Sequence, residues 1–373
     1  MIACRAWMLA SGLVCGLAFA TTASAQLSLT PQPEQKAAPP KAVKPPAPKP
    51  QPKAESKSAP KPAPAKDKPA DTKNKDADKA KDKGKDTTAA EAPDDPNVDL
   101  AYGAYQRGYY RTAVNIATKR ATELGDPKAM TLLGEIYSSG LGIKRDDAKA
   151  VEWYKQAVER GDRNAMFALG MLRIGGRGGP ADRAAGAKLL ASSAKLGKAE
   201  AAYNLGLLYL EGQVFPRDLK RAAELFREAA DAGNPAAQYA LATFYKEGTG
   251  VEKNLAEAVK LLAAAAVADN VDAEVEYAIA LYNGTGTAKN VPLAVALLNR
   301  AARQNSAIAQ NRLAHVLISG RGAPMDKVEG FKWHLIAKTA GASDPDLDAR
   351  FAQMSAEDQK KAEDGAKKWF GTK

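Results

Sequence analysis

The sequence predicts an all-α protein, a right-handed α-solenoid of helix-turn-helix repeats, with a disordered segment in front of it. Two columns of small residues recur every 36 residues without a slip. The glycines are Gly140, Gly176, Gly212, Gly248, Gly284 and Gly320, and the alanines are Ala129, Ala165, Ala201, Ala237, Ala273 and Ala309. A fixed period of about 20 to 50 residues is the signature of a repeat array. Because apolar residues between the glycines have helical spacing, we expect about seven helix pairs and no strand.

Each repeat is predicted to hold two helices joined by a short turn. In one clear copy, apolar residues at helical spacing mark a first helix over 199–210, which ends at Gly212. Asp218 is a suitable N-cap for a second helix over 219–232. A small residue recurs in the first helix where we expect the two helices to approach closely. These small residues are Gly134, Gly170, Gly206, Ala242, Ala278 and Ala314.

The repeated pattern resembles that of a known family. Two copies show it best, AMTLLGEIYSSGLGIKRDDAKAVEWYKQAVERGD and AAYNLGLLYLEGQVFPRDLKRAAELFREAADAGN. Their shared pattern, Ala-x3-Leu-Gly-x2-Tyr and a turn glycine, resembles the Sel1-like repeat, a relative of the tetratricopeptide repeat. The resemblance covers residues 98–341 and implies a scaffold that binds a partner protein. Some proteins with such repeats regulate envelope or signalling proteins, so the resemblance also implies a regulatory role of that kind. Asp269 and Asn305 replace a turn glycine, and both residue types tolerate the left-handed conformation that such a turn requires.

The two ends of the array are expected to differ from the repeats between them. Residues 98–124 read as one more helix pair with a shorter turn at Gly108. Residues 342–373 are predicted to add a C-terminal capping helix that begins at Ser355, because a terminal repeat needs a polar outer face.

The first 25 residues have the features of a secretory signal peptide. Arg5 precedes an apolar stretch, and Ala23-Ser24-Ala25 forms a cleavage site, so residues 1–25 are predicted to be removed. The mature chain would begin at Gln26 and be periplasmic or secreted; an uncleaved membrane anchor is the alternative. The chain's two cysteines are Cys4 and Cys15, which both lie in this segment. The mature protein would therefore have no thiol for disulfides, metal binding or catalysis.

Residues 26–97 are predicted to be a disordered linker. They are rich in Pro, Lys, Ala and Asp and have almost no branched or aromatic residues, so they cannot bury enough apolar surface to order. Residues 31–90 hold 15 lysines and 8 acidic residues, a balance of +7 within the chain's net charge of +11. One interpretation is a plain spacer. A second is weak contact of the tail with anionic envelope polymers or lipid head groups. No nucleic-acid partner is expected, since the basic character lies outside the predicted folded part.

No catalytic, metal or cofactor site is predicted, and no enzymatic activity is expected. The two histidines, His315 and His334, belong to no His-x3-His or Glu-x2-His pair. His334 is interpreted as a helix-face residue beside Trp333. The run from Gly175 to Gly179 falls in the turn register and follows no strand, so it does not resemble a phosphate-binding loop.

Binding is instead predicted on the concave side, which the first helix of each pair is expected to line. The candidate partner-binding residues are Phe167, Tyr203, Tyr239, Val275 and Asn311, with Glu135, Met171, Thr243, Ile279 and His315 one turn on. Aromatic anchors in a groove supply much of the binding energy of an interface. The alternative is that Tyr203 and Tyr239 pack between repeats. Two functions remain open: an adaptor that binds a protein, of unknown identity, on this face, and a structural envelope protein tethered by its tail to peptidoglycan or membrane.

Overall fold

A computed structural model describes residues 99–371 of the chain, and in that range it contains sixteen α-helices and no strand. Consecutive helices form helix-turn-helix pairs, so the predicted α-solenoid is confirmed. The predicted signal peptide (1–25) and the predicted linker (26–97) lie outside the described residues.

The helices are short and regular, and twelve of them have 13 residues each. In chain order they are α1 (Leu100–Gln106), α2 (Tyr110–Glu123), α3 (Pro127–Ser139), α4 (Asp147–Glu159), α5 (Arg163–Gly175), α6 (Arg183–Lys195), α7 (Ala199–Glu211), α8 (Leu219–Asp231), α9 (Pro235–Glu247), α10 (Leu255–Val267), α11 (Val271–Asn283), α12 (Val291–Arg303), α13 (Ala307–Ser319), α14 (Lys327–Thr339), α15 (Pro345–Ala352) and α16 (Ala356–Gly371).

Capping residues set the helix boundaries. Every second helix from α4 to α14 starts at an Asp or Asn whose side chain accepts a hydrogen bond from a backbone N–H of the first turn. Every first helix from α3 to α13 ends at a glycine in the left-handed conformation. Asp269 and Asn305, which replace a turn glycine, also have positive φ, 60° and 69°. The expectation that these turns persist is confirmed.

Small residues allow the two helices of a pair to approach closely. A Cβ added at Gly206 would lie 2.7 Å from the ring of Phe226, and one at Gly134 would lie 2.6 Å from the ring of Tyr154. Both distances are far shorter than ordinary van der Waals contact, so neither site has room for a methyl group. The large ring on the second helix thus fills the space that the missing side chain on the first helix leaves.

A buried polar position joins neighbouring repeats. The side chain of Gln310 donates a hydrogen bond to the carbonyl of Ala302, at the end of the preceding helix. Glu274 occupies the same position one repeat earlier, is fully buried, and has no N–H to donate. Arg300 supplies the missing donors, because its guanidinium contacts the Glu274 carboxylate at 2.5 Å and the carbonyl of Ala266 at 3.1 Å. Arg300 therefore joins three helices, α10, α11 and α12.

The last helices close the array with aromatic side chains. Trp333 of α14 lies 5.1 Å from the ring of Trp369 on α16, and Phe331 lies 5.4 Å from the ring of Phe351. His334 is fully buried beside Phe331, with its Nε2 2.8 Å from the carboxylate of Asp348. The interpretation of His334 as a helix-face residue is therefore wrong. It takes the register position that Phe226 and other large core residues hold in earlier repeats.

Candidate functional site

One concave site in the described residues is a pocket of about 430 Å³ between three consecutive first helices, α1, α3 and α5, with Tyr154 of α4 and Lys198 also in its lining. Its lining residues are Asp99, Tyr102, Lys128, Thr131, Leu132, Glu135, Tyr154, Asp162, Asn164, Phe167, Ala168 and Lys198. We call the surface that continues it along the chain the first-helix face. In each repeat this face consists of the positions equivalent to Lys128, Leu132 and Glu135.

Tyrosines from α1 form one wall of the pocket. Tyr102 is 45% exposed and stacks on Tyr105, with ring centroids 6.0 Å apart. The Tyr105 hydroxyl donates a 2.7 Å hydrogen bond to Glu135, which fixes the position of that carboxylate. Burial raises the pKa of Tyr105, and the bond to Glu135 adds to the rise, so the hydroxyl stays a proton donor. The wall thus offers an accessible ring beside a positioned carboxylate.

Hydrogen bonds between α3 and α5 fix the opposite side of the pocket. Thr131 donates to Asp162 at 3.1 Å, and the same Asp162 oxygen accepts the backbone N–H of Ala165 at 2.7 Å as the N-cap of α5. The ammonium group of Lys198 lies 5.7 Å from the ring centre of Phe167. The pocket-lining residues therefore combine carboxylates, ammonium groups and an aromatic ring, which suits recognition of a side chain from another molecule.

Glu135 belongs to the first full repeat, and each later repeat has a partly exposed residue at the equivalent position. These residues are Met171, Leu207, Thr243, Ile279 and His315. Four of them are predicted site residues, and Leu207 is an addition that the 36-residue register could have supplied. The Thr243 hydroxyl donates a 3.2 Å hydrogen bond to the carbonyl of Tyr239 within its own helix. That hydrogen bond stays within one helix and does not join Thr243 to another repeat.

The predicted aromatic anchors pack mainly between helices. Phe167 is 6% exposed and Val275 is 3% exposed, so Val275 does not offer the accessible surface expected of it, although Phe167 does line the pocket. The ring of Tyr203 packs on Phe226 at 5.7 Å. The hydroxyl of Tyr239 donates a 3.0 Å hydrogen bond to Glu276 of the next repeat. The contact of Tyr239 joins neighbouring repeats, as the alternative predicts, whereas the contact of Tyr203 with Phe226 lies between the two helices of one repeat.

At the C-terminal end of the face, Asn311 and His315 converge on one carboxylate. Their side-chain nitrogens lie 3.0 Å and 2.7 Å from the same Asp344 oxygen. The other Asp344 oxygen accepts the backbone N–H of Leu347 and caps α15. Burial alone would raise the pKa of Asp344, but these hydrogen bonds outweigh it and lower the pKa to about 2. Asn311 and His315 therefore connect the last repeat to the C-terminal cap.

Residues 99–371 contain no cluster of His, Cys, Asp and Glu that could hold a metal ion. Within the same residues, every helix is too short or too polar to cross a membrane.

Comparison with protein-family models matches the Sel1 repeat in six consecutive segments. The matched residues are 127–162, 163–198, 199–234, 235–269, 271–306 and 307–341. A comparison with curated protein sequences finds no match to this chain.

Several solved structures are similar to this chain, and two of them are Sel1-type repeat proteins. One is the protein c5321, a protective antigen of uropathogenic Escherichia coli with an SLR fold, at 26% identity and a TM-score of 0.63. The match covers 73% of this chain and 60% of that one, so this chain spans well under the antigen's full length. The other is a Sel1 repeat protein from Oxalobacter formigenes, at 27% identity and a TM-score of 0.60, with 65% of this chain and 100% of that chain covered.

Proposed function

The chain belongs to the Sel1 repeat family, and from that premise we propose that it is a non-enzymatic, extracytoplasmic adaptor that binds a partner protein on the concave, first-helix face of its solenoid. The pocket between α1, α3 and α5 carries the proposal. Its polar groups are positioned by contacts between repeats, and its Tyr102 ring remains accessible. Sites of this kind, with a few fixed polar groups around an aromatic side chain, are typical of protein recognition.

The extracytoplasmic part of the proposal depends on the N-terminal sequence. An apolar stretch followed by Ala23-Ser24-Ala25 favours export and cleavage. N-terminal sequencing of the protein extracted from cells should find Gln26 as the first residue. A chain that still begins at Met1 or Ile2 would contradict the export part and leave the binding part untouched.

Regulation of an envelope or signalling protein is the role that we propose for this binding. A scaffold without chemistry of its own acts by holding a partner in one state or one place. The partner is a protein, and the first-helix face would contact it over several repeats, since each repeat adds one row of side chains to the same surface.

A capture experiment separates this function from tethering through the tail. We would immobilise residues 26–373, 98–373 and 26–97 in parallel and identify the bound proteins by mass spectrometry. The adaptor function requires residues 98–373 to retain the same specific partners as 26–373. If retention needs residues 26–97, or if only peptidoglycan or membrane binds, the protein is instead an envelope protein tethered by its lysine-rich tail.

A further inference from the structure

The last repeat places an arginine on the first-helix face. Arg312 stands in the same register as Leu132 and Ala168, which both line the N-terminal pocket. Ile308 precedes it by one helical turn on α13 and is 57% exposed. This end of the face therefore presents an accessible apolar side chain next to a cation.

Arg312 has no acceptor within the described part of the chain. Its side chain is partly buried, yet residues 99–371 supply it with neither a hydrogen bond nor an ion pair. Burial lowers the pKa of its guanidinium, and the carboxylate of Asp344 opposes that effect from a distance. The oxygens of Asp344 already accept hydrogen bonds from Asn311, His315 and Leu347.

Two other arginines of the repeats, the partly buried Arg177 and the exposed Arg300, show what Arg312 lacks. Arg177 donates to the carboxylate of Asp147 at 2.6 Å and to the carbonyl of Ser138 at 2.8 Å. Arg300 likewise contacts a carboxylate and a carbonyl. A charge moved out of water without a partner is destabilising. The five N–H donors of Arg312 are thus free for an acceptor from outside the chain.

We propose that Arg312 binds a carboxylate of an acidic segment of the partner protein, and that an apolar side chain of the same segment packs on Ile308. The planar guanidinium matches a carboxylate through two parallel hydrogen bonds, which a partly desolvated site strengthens. This proposal rests on the proposed function, since it names the chemistry that the first-helix face recognises at its C-terminal end.

A displayed library of random twelve-residue peptides tests the site on the full chain. We would select it against the wild-type protein, Arg312→Gln and Arg303→Gln. Arg303 is the matched control, because it is exposed on the second helix α12, outside the first-helix face. Wild type and Arg303→Gln should enrich peptides with Asp or Glu beside an apolar residue. Arg312→Gln should lose that enrichment and bind the selected peptides about 10- to 100-fold more weakly.

The outcomes separate the site from the proposed function. Acidic peptides that bind Arg312→Gln as tightly as wild type, or selected peptides without acidic residues, would overturn the Arg312 site alone. Recovery of no peptide by any of the proteins would contradict the site and the proposed function together. Resynthesis of the best peptides with free and amidated C termini then shows whether the bound carboxylate is a side chain or the chain end.

Thermal unfolding tests whether Arg312 has a purely structural role. Arg312→Met keeps most of the apolar stem and removes the unpaired charge, so its melting temperature should equal or exceed that of wild type. A fall of several degrees would mean that Arg312 stabilises the fold, and would overturn its assignment as a binding residue.

Discussion

Two columns of residues lie side by side in the first helices and behave in opposite ways. The packing column consists of Gly134, Gly170, Gly206, Ala242, Ala278 and Ala314, and all six are buried. The face column follows it by one residue and consists of Glu135, Met171, Leu207, Thr243, Ile279 and His315, all partly exposed. The packing column admits only glycine or alanine, whereas no two members of the face column are alike.

The difference shows where the fold restricts the sequence and where it does not. A packing-column position faces the second helix of its own pair; at Gly206 the ring of Phe226 leaves no room for a methyl group. A face-column side chain points away from that contact. The repeat can therefore keep its shape while each copy presents a different group, which is what a surface selected for recognition requires.

The largest effect is expected at the buried joint between repeats. Arg300→Ala leaves the fully buried carboxylate of Glu274 without its partner, which should cost about 3 kcal/mol of unfolding free energy. Glu274→Gln is the matched variant, because Gln310 holds the equivalent position and contacts a backbone carbonyl. Urea melts should show a small change for Glu274→Gln. Equal losses in the two variants would contradict the role given to Arg300.

The packing column should respond to a single methyl group. Gly206→Ala places that group 2.7 Å from the ring of Phe226 and should destabilise the protein by about 1–3 kcal/mol. Phe226→Leu should relieve the clash, since the register pairs Ala242 with Leu262 in the next repeat. A double-mutant cycle measured by thermal melts should therefore give a favourable coupling of about 1 kcal/mol between the two substitutions. Strict additivity would show that this contact does not restrict the packing column.

The acid response of the C-terminal cap tests the end of the face. Hydrogen bonds lower the folded-state pKa of Asp344 to about 2, below the unfolded value of about 3.9. Asp344 therefore stabilises the fold above about pH 4, and that stabilisation is lost as the pH falls towards 2. Asp344→Asn keeps a side-chain oxygen for the N-cap but removes the charge, so it should be less stable than wild type by roughly 1–3 kcal/mol at pH 7. The gap should close near pH 2 in urea melts, and a gap that stays constant with pH would contradict the assignment.

The smallest effect on stability is expected in the face column itself. Thr243→Arg changes a partly exposed residue whose hydrogen bond lies within its own helix, so the unfolding free energy should change by no more than about 0.5 kcal/mol. The same substitution should weaken binding of the partner captured by residues 98–373. Glu135→Gln and Ile279→Arg extend the test to both sides of Thr243. If all three variants bind the partner as tightly as wild type, the binding site does not lie on this face.

The sequence predicts the repeating features well and the unique contacts poorly. Periodicity identifies the helices, and the tolerance of Asp and Asn for positive φ correctly predicts the turns at Asp269 and Asn305. The contact between Arg300 and Glu274 joins residues 26 apart on different helices and has no counterpart in other repeats. A single sequence gives no signal for such a pair.

The candidate site also combines features that the repeat pattern predicts with contacts that it does not predict. The register of the first helices indicates which positions line a common surface, and Glu135 and Phe167 do line the pocket. Residue type alone does not separate an exposed anchor from a ring between repeats, because Tyr239 suits both roles and only its hydrogen bond to Glu276 distinguishes them. The convergence of Asn311 and His315 on Asp344 depends on the position of α15, which lies beyond the periodic part.

Site-specific photo-cross-linking in intact cells tests the central claim most directly. A photoreactive amino acid would replace, one at a time, Glu135, Thr243 and Ile279 on the first-helix face and Lys155, Lys188 and Arg303, which are exposed on second helices. We predict that the three face positions give the same discrete cross-linked protein and that the three second-helix positions do not. The same product from the second-helix positions, with none from the face, would contradict the account.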